Sequence, residues 1–275
     1  MPYQEEAMNN RSMSVAGSFY PADANEIIEM IDQYNIILQS HPDTLQRFDT
    51  LSGDAVIVPH AGWIYSGFTA NIAFRILAKS KPRTIVVIGP SHRVGFEGIS
   101  IADNLHYQTP LGDLAINDSL VDDLKDRFSL PYFPEAHHEH STEVQMPFIK
   151  YYLPNTKVVE LVYAYAQPSF VKPIIDYLLT LQETAIVIST DLSHYHSLKD
   201  AQQLDSICLE AIHEENTATL DQGCEACGMI GVKAMLEAAK QKGLKSTILD
   251  YRTSADASGN TSRVVGYMSA LFYES

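Results

Sequence analysis

Apolar positions along this chain fall into short continuous runs separated by segments with helical spacing. "AVIVPH" (55–60), "TIVVIGPSH" (84–92), "KVVELVYA" (157–164) and "TAIVISTDLSH" (184–194) read as strands buried on both faces, because they lack the polar alternation of a half-exposed strand. Between them, "ADANEIIEMIDQYNIIL" (22–38), "FTANIAFRILAKS" (68–80), "DSLVDDLKDRF" (118–128) and "SFVKPIIDYLLTLQ" (169–182) carry apolar residues at helical intervals. Asp23 is placed to cap the first of these. "AQQLDSICLEAIHEE" (201–215) and "CGMIGVKAMLEAAKQKG" (227–243) predict two later helices. "KSTILDYRT" and "VVGYMSALF" predict closing strands on either side of a flexible "SADASGNTS" loop. Strands alternating with helices predict an α/β fold: one domain, residues 15–275, with a central mostly parallel or mixed sheet covered by helices, after a polar tail over residues 1–14. Residues 39–54 read as a polar connection, "YQTPLGD" as irregular, and "PEAHHEHSTE" (134–143), taken without the strand-end histidines, as a solvated polar loop able to bind metal adventitiously, in which His137 and His138 have no special role.

Three of the strand runs end in chemistry. His60 follows the first, His92 the second, and Asp191 and His194 the fourth. Ligands of open α/β sheets bind beyond the carboxyl ends of the strands, so residues more than a hundred positions apart can share one crevice. Neutral imidazole is the commonest metal ligand, and a carboxylate beside a second histidine can orient a ligand or move a proton. His140, Glu139 and Glu143 add donors nearby in sequence. Trp63 and Tyr65 either pack over the first helix or line the pocket.

Charge and cysteine content narrow the possibilities. The 275 residues carry a formal net charge of −15, which opposes nucleic acid or anionic membrane as principal partner. Three cysteines are too few, and odd in number, for a disulfide framework, and the start "MPYQEEAMNN" has neither the basic end nor the apolar stretch of a signal peptide. A reducing cytoplasm is the expected location. Cys208 falls on a helical stripe and reads as core, Cys224 is open, and Cys227 lies at a helix start, where the dipole favours a thiolate. Phosphate-loop and dinucleotide motifs are absent, and "GPSHR" departs from GxSxG at its last position, which leaves Ser91 a poor nucleophile.

"AGSFYP", "VPHAGWIYSG", "GPSH", "EHSTEVQMPF", "STDLSH", "CG" and "VGYMSALF" occur in an order that resembles the Memo family, whose bacterial members are also called protein B of the AmmeMemoRadiSam system. The resemblance runs from about residue 15 to the end. It implies a fold similar to class III, non-haem iron extradiol dioxygenases, with a metal held by His60, His92 and Cys227. It also implies that Asp191 and His194 are the second acid and histidine of the pocket, and that His140 is the counterpart of a histidine near the dioxygenase metal. A thiolate in place of a carboxylate shifts preference toward softer metals, with Fe(II) or copper expected ahead of zinc. The expected function is a metal-dependent redox or dioxygenase-like enzyme in which His140, Asp191 and His194 are catalytic. The alternatives are a binding module for a phosphotyrosine-like anion and a zinc-type hydrolase. The resemblance further implies association with a radical-SAM protein and an AMMECR-type protein.

Overall fold

A computed structural model describes residues 10–274. The first half contains, in chain order, β1 (Asn10–Arg11), α1 (Ala24–Gln39), α2 (Pro42–Asp49), β2 (Ala55–Val58), α3 (Trp63–Leu77), β3 (Thr84–Pro90), β4 (Gly98–Ile101), β5 (His106–Tyr107), β6 (Leu114–Ala115) and α4 (Asp118–Phe128). Then come α5 (His140–Glu143), α6 (Met146–Tyr152), β7 (Lys157–Ala164), α7 (Pro168–Leu178), β8 (Thr184–Ser189) and β9 (His194–His196). The chain closes with α8 (Leu198–His213), α9 (Thr217–Leu220), α10 (Met229–Lys242), β10 (Lys245–Thr253), α11 (Ser254–Ser258) and β11 (Val264–Tyr273).

The main sheet runs in the order β10-β11-β2-β8-β3-β7-β4, with β9 paired on β11. Its centre, β2-β8-β3-β7, is parallel, and the flanks β10-β11, β11-β2 and β7-β4 are antiparallel. This is the mixed α/β sheet that the apolar runs predict. Every residue of β2 and β3 is buried, as helices on both faces require. Helix α3 packs on β2, β10 and β11, with α1 and α6 against it, while α7 and α10 pack on each other and on β8. Side chains such as Ile57, Val87 and Ile188 are fully buried, each worth about 1.5–3 kcal/mol in transfer from water.

Local chemistry sets the element ends. The Asp23 carboxylate accepts from the Asn25 and Glu26 amides, capping α1 as expected. Asn117 caps α4, and Gly243, at φ 72°, closes α10 in the left-handed conformation.

Several sequence expectations need correction. Residues 10–14, assigned to a tail, belong to the packed body: Arg11 is buried, and β1 pairs with β5 in a small sheet with β6. The rest of that assignment, residues 1–9, lies outside the described residues. The polar connection contains α2, which buries only Phe48, and the flexible loop contains α11 behind a capping box of Thr253 and Asp256. "PEAHHEHSTE" is not a solvated loop, since Glu139, Glu143 and His137 are buried. Cys208 is core, as expected, and is bridged to Cys224 across 16 positions, so two of the three cysteines do form a disulfide. Among the described residues no helix is long and apolar enough to cross a membrane.

Candidate metal centre

Strand β8 lies between β2 and β3, and all three run in the same direction. Their carboxyl ends therefore open at one edge of the sheet, and the residues just beyond them converge. His60 follows β2, His92 follows β3, and Asp191 follows β8. The fourth element is α5, which packs on β3 and carries His140. Gly89 makes that approach possible, because a Cβ there would stand 2.6 Å from the Ser141 hydroxyl and 3.0 Å from Thr142.

His60, His92 and His140 form a group whose ligand atoms all lie within 4.8 Å of one another. Ring centroids are 5.0 Å apart for His60–His92, 5.3 Å for His60–His140 and 4.6 Å for His92–His140. The Nδ1 atoms are already engaged. His60 Nδ1 is 2.9 Å from the Ser189 hydroxyl, while His92 Nδ1 and His140 Nδ1 are 3.1 and 2.8 Å from Glu139 Oε1. His92 and His140 are thus left with Nε2 as the nitrogen for a ligand, and His60 Nε2 faces the Cys227 sulfur. The centre opens on the His92 side, since that side chain is 32% exposed and His60 only 2%.

The electrostatics suit a cation. Burial pushes the His60 imidazole well below its ordinary value, and the neighbouring His92 and His140 push it further, so His60 is neutral at pH 7 with a lone pair to offer. Burial alone would raise Glu139, but hydrogen bonds from His140, from the His92 side chain and from the His92 amide outweigh it and hold the carboxylate ionised. Its second oxygen accepts the His92 N–H at 2.6 Å.

Asp191 and Cys227 form the opposite wall. Asp191 Oδ1 accepts the His60 and Ala61 amides at 2.7 and 3.3 Å, and Oδ2 lies 3.9 Å from His60 Nε2. Burial raises the Asp191 carboxyl above the ordinary value, against the pull of the His60 N–H and of the His194 charge. Cys227 Sγ sits 3.2 Å from His60 Nε2 and accepts the Asp191 amide at 3.3 Å. Gly228 lets this segment close in, as a Cβ there would stand 2.6 Å from the Ser189 carbonyl. The surroundings of Cys227 oppose the thiolate expected from the helix dipole. Gly228 caps α10, Cys227 precedes the cap, and burial followed by the Asp191 charge pushes the thiol up to about 12.

A family model described as "Memo-like protein" matches residues 11–271. The chain belongs to the Memo family. A MEMO1 family protein of Desulfurococcus amylolyticus is 32% identical, the alignment spanning 97% of this chain and all of the relative. One of Aquifex aeolicus is 31% identical over 96% and 100% of the two chains, and one of Methanocaldococcus jannaschii 30% over 95% and 98%.

In this Memo-family chain the six residues to which the resemblance gives metal or catalytic roles lie at this sheet edge in different relations. His60 and His92 are joined in the ligand group by His140. Cys227 touches that group through His60 and Asp191 anchors the His60 backbone, while His194 stands on β9, paired with Val265. Trp63 is core, stacked on Phe148 at 3.9 Å, with its indole N–H donated to the Val144 carbonyl. Tyr65 lines a cleft of about 270 Å³ with Met30, Ile64 and Phe19, whose ring centroid is 4.7 Å from that of His140. Sequence reasoning missed Ser189 and Glu139 as partners of the histidines. Both lie in quoted motifs, "STDLSH" and "EHSTE", beside the residues they serve.

Proposed function

We propose that this Memo-family protein is a metal-dependent redox enzyme of dioxygenase-like type, with iron or copper held by His60, His92 and His140 and Cys227 as a further donor. The observation that carries this reading is the convergence of three imidazoles whose Nδ1 atoms are spent on Ser189 and Glu139. That donor set suits a divalent transition metal, because imidazole binds iron, copper and zinc alike, whereas calcium and magnesium prefer a shell of oxygen donors. Cys227 Sγ, on the Nε2 side of His60, adds a soft donor that favours copper or Fe(II). When bound, such a metal supplies Lewis acidity and one-electron chemistry.

The protein's own groups do the rest. His60 is held neutral, and Asp191 fixes the backbone turn that presents it. His194 is partly exposed at the same edge and is the group we assign to proton transfer with solvent or substrate. The cleft beside Phe19 and Tyr65 offers an apolar wall to a substrate.

A second reading has one observation in its favour. Three imidazoles with an open side are also the donor set of catalytic zinc, where the metal activates a water for hydrolysis. Anaerobic metal analysis with optical and paramagnetic-resonance spectroscopy separates the two. Iron or copper near one per chain, lost in His92→Ala, supports the redox reading. Stoichiometric zinc without any redox-active metal supports the hydrolytic one. Absence of all three metals with the histidines intact would sink both.

A further inference from the structure

We infer that Glu139 is the positioning residue of the centre, the group that sets the tautomer and direction of two of its three imidazoles at once. This rests on the reading of His60, His92 and His140 as metal ligands. Four donors converge on one carboxylate. Oε1 takes the His140 Nδ1–H at 2.8 Å, the His92 Nδ1–H at 3.1 Å and the Ser141 amide at 3.1 Å, and Oε2 takes the His92 amide at 2.6 Å. The side chain is 1% exposed, so water does not compete for these oxygens. A free imidazole in water distributes its proton between the two nitrogens. An ionised acceptor at Nδ1 places the proton there and leaves the Nε2 lone pair for a metal.

The third histidine is held differently. His60 Nδ1 meets the Ser189 hydroxyl, which donates at the same time to the Ser141 carbonyl and also receives Gln145 Nε2. Ser189 donates to Ser141, so it can only accept from His60, and this too assigns the proton to Nδ1. The centre therefore has one neutral anchor and one anionic anchor. Glu139 alone supplies fixed negative charge next to two ligands, and it does so from the backbone cap of the short helix that carries His140. A shift of this one side chain would misdirect both rings together.

A carboxylate is required for a chemical reason. Glutamine is isosteric but has one acceptor oxygen. With that oxygen at the Oε1 position its amide N–H₂ confronts the His92 N–H, and reversed it confronts both imidazole N–H groups. Glu139→Gln can keep the His140 tautomer while losing the charge, and Glu139→Ala loses both.

The test is long-range ¹H–¹⁵N imidazole spectroscopy of the metal-free protein, together with Co(II) titration followed by optical absorption. In wild type, His92 and His140 show Nδ1–H tautomers. In Glu139→Ala both move toward Nε2–H, and Co(II) affinity falls roughly 10–100-fold with a changed d–d spectrum. In Glu139→Gln the His140 tautomer and the spectrum persist while affinity still falls, by about tenfold. Thermal melting of the metal-free variants checks that each is folded. If Glu139→Ala does not fold, Glu139→Gln decides. Wild-type ¹⁵N shifts at both rings and undiminished Co(II) affinity in a folded Glu139 variant overturn the inference. A wild-type protein that binds no Co(II) overturns the metal reading instead, and the tautomers still decide the role of Glu139.

Discussion

Within residues 134–143, one histidine is closed off and another is left open. His137 spends both ring nitrogens, Nδ1 on Glu160 Oε2 and Nε2 on the Ser100 hydroxyl, each at 2.8 Å. His140, three residues on, spends only Nδ1. The surroundings follow the same division. Around His137 lies a buried ionic cluster in which Arg11 pairs with Glu143 at 3.0 Å, Tyr20 donates to Glu143 at 2.9 Å, and Thr142 donates to Glu160. Glu143 also accepts the Ser14 and Val15 amides at 2.8 Å, which ties the first described strand region to the body. One atom there lacks a hydrogen bond, Arg11 Nε, 3.9 Å from Glu160. Around His140, three imidazoles converge, and His60 Nε2 faces the Cys227 sulfur at 3.2 Å. Buried polar groups that satisfy one another hold a structure together, and those left with aligned spare lone pairs are prepared for something else.

The strongest way to test this contrast is to damage the closed cluster. Glu143→Ala leaves the Arg11 guanidinium buried without its partner and is expected to cost about 3–5 kcal/mol in urea denaturation. The folded fraction should still bind metal with wild-type stoichiometry. A loss below about 1 kcal/mol would remove the distinction between the clusters. Next in size is the Cys208–Cys224 bridge, whose loop of 16 positions corresponds to about 3 kcal/mol of unfolded-state restriction. Cys208→Ser, or treatment with a dithiol, should lower the denaturation midpoint, and alkylation of the denatured protein followed by mass spectrometry should find one free thiol before reduction and three after.

A pH series probes the same division without mutation. Burial would raise Glu160, but the His137 charge and hydrogen bond, with Arg11 and Thr142, bring it below the ordinary 4.5. A carboxylate depressed in the folded state binds more protons when unfolded, so its stabilisation is complete above about 4.5 and declines as pH falls through the folded value. Denaturation midpoints should drop over that acid range, and Glu160→Gln should flatten the decline. An unchanged slope in the variant would assign acid sensitivity elsewhere. The smallest effect belongs to His138, which meets only the Ser14 hydroxyl, at 3.1 Å, among the described residues. His138→Ala should shift stability by no more than about 0.5 kcal/mol and leave metal content intact.

These contrasts show what the sequence could convey. The central strands were legible because a strand buried on both faces has to be apolar throughout, and His60, His92 and Asp191 were legible because they interrupt such runs at their ends. Strand β4 was not, since its four residues lie in a short run that gives little period to read. His137, His138 and His140 could not be separated by spacing, because their roles depend on partners distant in sequence. Glu160 was the available clue: a carboxylate within the apolar run "KVVELVYA" must find a partner inside the protein. The pairing of Cys208 with Cys224 depends on where α8 and the segment before α10 meet, which no spacing specifies.

Anomalous diffraction at the metal edge, from crystals of the protein loaded with one equivalent of Fe(II) or Co(II) under anaerobic conditions, tests the central claim most directly. A single peak within bonding distance of the Nε2 atoms of His60, His92 and His140 is the predicted result. A peak elsewhere, ligation through Nδ1, or no ordered metal with the three imidazoles in place would contradict it.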